Sequence, residues 1–254
     1  MTLQRILPST VAYSVVLIAI GIWGLAQFAF IAIWVPGIQP AALRAPMMIA
    51  CSLISLLAGA GLLWPRYQST AARMLLGFFL VWLIWCKGPA LARSPADLAV
   101  WESLGETAVL TAAAWTLART SHDTGAKWLD SAAGPRILYG LALIAFGASH
   151  LAYVTLTATL VPAWLPWHAA WVYLTAATYV AAGIALAGGR FLRTATALSA
   201  LQMTLFGLLI WLPRVAAGGR DMDTMNEAAI SFALAASGWV IAEAIGRDCA
   251  HPDS

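Results

Sequence analysis

The sequence predicts an all-α, polytopic membrane protein with eight transmembrane helices arranged as two parallel four-helix repeats. Three observations carry that expectation. First, 61% of the 254 residues are hydrophobic and only 10% are charged, against about 25% charged in a typical soluble domain. The mean hydropathy is +0.81. Too few polar residues are present to coat a water-soluble globule of this size, which argues against a cytosolic enzyme, a nucleic-acid binder and a disordered scaffold. Second, the chain contains a succession of apolar runs, each close to the roughly 20 residues that a helix needs to cross the hydrocarbon. Third, the second half of the chain repeats features of the first.

The runs fall at 11–35, 47–64, 71–90, 104–120, 136–160, 168–188, 194–213 and 225–245. The first is longer than a signal-peptide core and is expected to be retained as a helix. Prolines stand in the gaps: Pro36, Pro40 and Pro46 after the first run, Pro65 after the second, Pro162 and Pro166 after the fifth. Each lacks an N–H and disfavours helix in the residue before it. The fourth run is the weakest, short and rich in alanine. Between the fourth and fifth, His122, Asp123, Gly125, Lys127, Asp130, Gly134 and Pro135 form a polar linker. The expected organisation is a first repeat at 1–120, a cytoplasmic linker at 121–135 and a second repeat at 136–254.

Lys and Arg set the expected orientation. With the N-terminus inside, Arg5, Arg66, Arg73, Arg119, Lys127, Arg136, Arg190, Arg193 and Arg247 are internal. Arg44, Lys87, Arg93, Arg214 and Arg220 are external, beside Asp97, Glu102, Asp221 and Asp223. The surplus places both termini in the cytoplasm. In the repeat, Gly24-Leu25-Ala26-Gln27-Phe28-Ala29-Phe30 is paired with Gly147-Ala148-Ser149-His150-Leu151-Ala152-Tyr153. Gly59 with Arg66 is paired with Gly183 with Arg190, Trp85 with Trp211, and Glu106 with Glu227. An even number of spans per half makes the two halves parallel, related by an axis along the membrane normal.

An ionisable side chain inside a span costs roughly 2.5–3.5 kcal/mol on insertion scales, so each one needs a reason. His150 stands twelve residues before Pro162, which places it about 18 Å from the outer helix end, near mid-membrane. Tyr153 and Thr157 continue its polar stripe. Two readings fit: a contact for a ligand, proton or redox cofactor, or a neutral imidazole hydrogen-bonded between helices. Glu106 and Glu227 sit near the starts of the fourth and eighth spans, where a helix dipole favours carboxylates. Their recurrence beside Lys87 and Arg214 also suits an outer-side ion pair, or a site for a small anion or polar headgroup.

Thirteen tryptophans are many for this length. Trp34, Trp85, Trp101, Trp164, Trp167, Trp171 and Trp211 fall near outer helix ends, as in an interfacial belt, and Trp64, Trp115, Trp128 and Trp239 lie towards the inner side. The dense Trp164–Trp171 segment also suits a roof over a hydrophobic pocket. Cys51, Cys86 and Cys249 include no CxxC, and the histidines lack metal-ligand spacing. No phosphate loop, nucleophile motif or dinucleotide fingerprint is present.

The second half resembles the DoxX-like family of small four-helix bacterial membrane proteins. The resemblance rests on Gly147-Ala148-Ser149-His150, Val161-Pro162-Ala163-Trp164-Leu165-Pro166, Trp171-Val172-Tyr173-Leu174-Thr175, Ala181-Ala182-Gly183-Ile184-Ala185-Leu186 and Glu227. It covers about 136–245 and, as a diverged copy, about 11–120. The first half departs from it, with Gln27 in place of His150 and Arg44 to Met48 in place of the tryptophan-rich segment. The resemblance implies a bacterial inner-membrane protein, redox-associated and holding a quinone or other lipophilic ligand for a partner protein. Most members of that family have no assigned activity, and the expectation is a non-catalytic membrane subunit rather than an independent enzyme. No flavin, haem or iron–sulfur motif accompanies it. The candidate ligand-binding set is His150, Tyr153, Trp171, Glu227, Gln27, Glu106, Trp167, Arg214 and Lys87. A carrier for a small molecule or lipid between the halves, and a non-catalytic scaffold, are the alternative readings.

Overall fold

The computed structural model describes residues 6–35, 41–121 and 128–250. Arg5, Pro36, Gly37, Pro40, His122, Asp123, Gly125, Lys127 and His251 lie outside the described residues, so of the predicted linker only 121 and 128–135 are described. Among the described residues every regular element is helical. The long helices are α1 (Pro8–Gln27), α2 (Arg44–Leu62), α3 (Pro65–Arg93), α4 (Leu98–Ser121), α5 (Ala133–Ala152), α6 (His168–Ala187), α7 (Leu192–Ala216) and α8 (Met222–Ala250). All of these except α4 are long and apolar enough to cross a membrane. The chain is an all-α, multi-pass membrane protein.

The exception has a physical cause. α4 is the helix least in need of an apolar surface, because its middle never faces outward. Thr107, Val109, Leu110, Thr111, Ala112, Ala113 and Ala114 are all fully buried. The threonines return their hydroxyls to backbone carbonyls of their own helix, Thr111 to Thr107 at 2.7 Å and Thr116 to Ala112 at 2.8 Å, so no polar atom is stranded. α4 and α8 are the two central rods. α4 packs against α3, α5 and α8, and α8 packs against α1, α4 and α7. Each contributes to both hydrophobic cores, one built around Tyr13, Leu17, Trp34, Leu75 and Phe79, the other around Tyr139, Leu143, Phe146, Tyr179 and Met203.

Small residues allow the closest helix pairs. A Cβ on Gly21 of α1 would lie 2.6 Å from the Ser52 carbonyl of α2, and one on Gly59 of α2 would lie 3.0 Å from the Ser14 carbonyl of α1. Between α5 and α6 the same crossing is tighter. A Cβ on Gly147 would meet the Ala176 carbonyl at 2.8 Å, and one on Gly183 would meet the Gly140 carbonyl at 2.5 Å. In lipid, where apolar burial gives little reason for helices to associate, such backbone approach is a main source of attraction.

Proline explains most helix ends and two internal irregularities. Pro8 and Pro65 open α1 and α3, and Pro46 sits in the first turn of α2, where its missing N–H has no partner to lose. Pro89 and Pro213 each follow a widened π-helical turn, Trp82–Lys87 in α3 and Gly207–Trp211 in α7. A proline ring collides with the carbonyl four residues earlier, and widening the preceding turn relieves that collision. The apolar run 136–160 is not one helix. α5 ends at Ala152, Tyr153 leaves helical geometry at φ −112° and ψ 34°, and a short turn of helix follows at Val154–Ala158. Val154, Thr155, Thr157 and Thr159 are β-branched residues of low helix propensity, and no glycine or proline marks the break.

Candidate functional site

The break after α5 decides where His150 stands. His150 lies in the last turn of its helix, closer to the helix end than the mid-membrane position expected from a continuous 136–160 span. Its ring is nonetheless inside the bundle. Nδ1 is 3.1 Å from the Thr175 hydroxyl on α6, and the ring meets Tyr179 edge-on at 5.6 Å and Phe206 at 5.8 Å.

The imidazole borders a cavity of about 150 Å³. α4 contributes Glu102 and Glu106, α5 contributes Phe146 and His150, and α6 contributes Trp171, Thr175 and Tyr179. α7 provides Phe206, Ile210 and Trp211, and α8 provides Glu227, Ile230 and Ser231. Three carboxylates and one imidazole therefore face one space with aromatic walls. Glu102 accepts a hydrogen bond from the Ser149 hydroxyl at 2.6 Å, which fixes α4 and α5 at this level. Glu106 is surrounded by protein, and its remaining accessible surface is the cavity wall. Its carboxylate makes no hydrogen bond among the described residues. The π-helical turn of α7 carries Ile210 and Trp211 inward, a placement that an unbroken α-helix would alter.

A second, apolar space adjoins this one. Trp164, Leu165, Leu174, Leu198, Leu201, Leu205 and Leu209 line a groove of about 440 Å³ between α6 and α7. Leu174, Leu198, Leu201, Leu205 and Leu209 are exposed on the bundle surface. Val161, Trp171, Thr175, Phe206 and Ile210 border both spaces.

Of the residues expected at the site, His150, Trp171, Glu106 and Glu227 meet around the cavity. The others do not line it. Tyr153, displaced by the helix break, donates to Asp97 at 3.3 Å. Trp167 is 81% exposed, in left-handed backbone at φ 55° at the start of α6. Gln27 is the exposed last residue of α1. Lys87 and Arg214 form no direct ion pair with the glutamates. The Lys87 ammonium is buried and donates to Ser103 at 2.7 Å, while the Arg214 guanidinium lies over the Trp211 ring at 4.9 Å. Lys87 still feels the field of Glu106, so it supports the site from behind its wall.

Sequence reasoning passed over Glu102, Thr175, Tyr179 and Phe206. Only Glu102 carried a usable signal: it precedes Glu106 by four residues, the spacing that places two side chains on one helix face. Trp34, expected in an interfacial belt, is buried instead, whereas Trp64, Trp85, Trp128, Trp164 and Trp167 are exposed as a belt requires. Among the described residues no cluster of His, Cys, Asp and Glu is arranged to hold a metal ion.

Fold and site together define a multi-pass helical membrane protein with an aromatic, carboxylate-bearing cavity beside a surface groove. No protein-family model matches the chain, and comparisons with curated proteins and with solved structures give no match either.

Proposed function

We propose that this chain is a DoxX-like, non-catalytic membrane protein that takes a lipophilic small molecule from the bilayer and holds its polar end beside His150. The observation that carries this reading is the shared border of groove and cavity at Trp171, Thr175, Phe206 and Ile210. An apolar tail fits the groove and a compact head fits the cavity, the usual division between apolar contact area and a few convergent polar groups in ligand sites. A quinone held for a redox partner is one occupant that the DoxX-like resemblance implies.

The reading includes eight spans, with α4 crossing as the shielded member, and two parallel four-helix repeats. Packing register supports the repeat. Gly21 meets the Ser52 carbonyl and Leu56 nitrogen as Gly147 meets those of Ala176 and Val180, while Gly59 meets Ser14 and Ile18 as Gly183 meets Gly140 and Ile144. In this register Gly147 answers Gly21 rather than Gly24, and the fully buried Tyr13 answers Tyr139. The counterpart of His150 is then Gly24, not Gln27, so the first half offers no side chain there. With eight spans the outer ends of α1 and α8 share one side, and the Lys and Arg distribution favours the cytoplasm of a bacterial inner membrane.

Extraction of the detergent-purified protein tests this. A lipophile should co-purify and be lost from a Leu205→Trp variant, which fills the groove on the lipid-facing side without altering the cavity. Absence of any bound lipophile, together with no binding of added menaquinone or ubiquinone analogues, would overturn the reading.

A further inference from the structure

Within the proposed lipophile site, on which this step rests, the charge arrangement is one-sided. Glu102, Glu106 and Glu227 border the cavity, and no Lys or Arg does. Lys87, behind the wall, donates to the Ser103 hydroxyl and offsets part of the charge of Glu106, and Arg214 lies over the Trp211 ring, so three carboxylates face one nearby buried ammonium. Nor is this merely an acidic cluster. Glu106 is enclosed by protein, points into a defined space and lacks a hydrogen-bond partner among the described residues. Phe146, Tyr179, Phe206 and Trp211 supply ring surfaces around the same space.

Aromatic faces carry negative electrostatic potential and attract cations, most strongly where water is excluded. Carboxylates beside them add an attraction that grows as the local dielectric falls. A neutral carbonyl head, such as that of a quinone, gains no charge attraction from three carboxylates and would rely on the His150, Thr175 and Ser231 donors alone. We propose that the cavity selects an amphiphile with a cationic, ammonium-type head, whose alkyl or aryl tail lies in the α6–α7 groove. The head is compact, as a space of about 150 Å³ requires. Glu106 is its principal counter-charge, and Glu227, exposed at the rim, meets it on entry.

The test measures binding to the full-length protein in maltoside micelles by isothermal titration calorimetry, with three probes sharing a ten-carbon chain: decyltrimethylammonium, 1-decanol and decylubiquinone. The cation should bind at least about tenfold more tightly than the alcohol, a difference in line with cation–π and charge attraction at a desolvated site. Glu106→Gln should weaken the cation at least about tenfold and leave the alcohol unchanged. Glu243→Gln, whose carboxylate lies outside the cavity and accepts a hydrogen bond from Ser9, should change neither. If Glu106→Gln does not fold, Glu227→Gln at the rim takes its place, and the probe comparison on the unmodified protein needs no variant. Decylubiquinone or decanol binding as well as or better than the cation would overturn the cationic head and leave the lipophile site standing. Binding of none of the three would remove both.

Discussion

The two hydrophobic cores of this molecule differ in one place, and the difference is a tryptophan. In the core built around Tyr13, Leu17, Leu75 and Phe79, Trp34 turns inward from the turn that follows α1 and is 1% exposed. It packs against Phe78 at 5.1 Å, Phe79 at 5.5 Å and Trp82 at 6.0 Å. Beside the core built around Tyr139, Leu143, Phe146 and Tyr179, the tryptophan of the segment that follows α5, Trp164, is 71% exposed and borders the groove. The groove adjoins the open cavity that is lined by His150, Phe206 and the carboxylates. One half is filled by its own side chain, and the other keeps a cavity. Similar helix packing thus accompanies a filled core in one half and an open cavity in the other.

Emptying the filled half gives the largest expected effect. Trp34→Ala removes the plug and should cost about 3–5 kcal/mol, the range for deleting a large buried aromatic, measured as detergent-resistant folding. Trp164→Ala, on the exposed counterpart, should leave stability nearly unchanged. Equal effects would remove the contrast between the halves.

The helix crossings give the next effect. Gly183→Ala forces a Cβ to within 2.5 Å of a backbone carbonyl, whereas Gly59→Ala meets its nearest atoms at 3.0 Å. Overpacking costs about 1–3 kcal/mol, with Gly183→Ala at the upper end and Gly59→Ala at the lower. Gly77→Ala, with nothing within 4 Å, should be neutral or slightly stabilising. Thermal melting of the three variants in one detergent checks the order.

His150→Phe keeps the ring contacts with Tyr179 and Phe206 and removes the hydrogen bond to Thr175. The expected loss is about 1 kcal/mol, with a larger proportional loss in ligand binding. A stability loss with unchanged binding would make His150 a helix fastener alone.

The smallest effect concerns pH. Asp221 caps α8, accepting from the Thr224 N–H at 2.9 Å and its hydroxyl at 2.8 Å, and these bonds hold its carboxyl below the ordinary carboxylate range. A carboxyl lowered in the folded state contributes stability above its unfolded value of about 3.9 and loses it as pH falls through the folded value. Asp221→Ala should therefore melt slightly lower than the parent at pH 7, and the gap should close in acid.

The sequence announced the fold well wherever a helix faces lipid, because hydropathy records lipid contact. α4 was faint for the opposite reason. Its middle, Thr107 and Val109 to Ala114, is buried inside the bundle and presents no surface to the hydrocarbon. The break at Tyr153 was not legible, since β-branched threonines weaken a helix without the clear mark of glycine or proline. Proline did mark the α7 irregularity, through Pro213, but not that the widened turn would bring Trp211 to the cavity. For the site, single residues such as His150 and Glu106 stood out by their cost in a membrane. Their meeting was invisible, because it depends on the crossing of α4, α5, α6 and α8, which no local pattern encodes.

Cryo-electron microscopy of the full chain in nanodiscs formed from its native lipid most directly tests whether the open half is a ligand site. The account predicts elongated non-protein density running from Leu201 and Leu205 past Thr175 to a compact end between His150 and Glu106, with Trp34 packed inward and no such density in the first half. A groove closed by its own leucines, with the cavity sealed from the bilayer and holding no ligand, would contradict it.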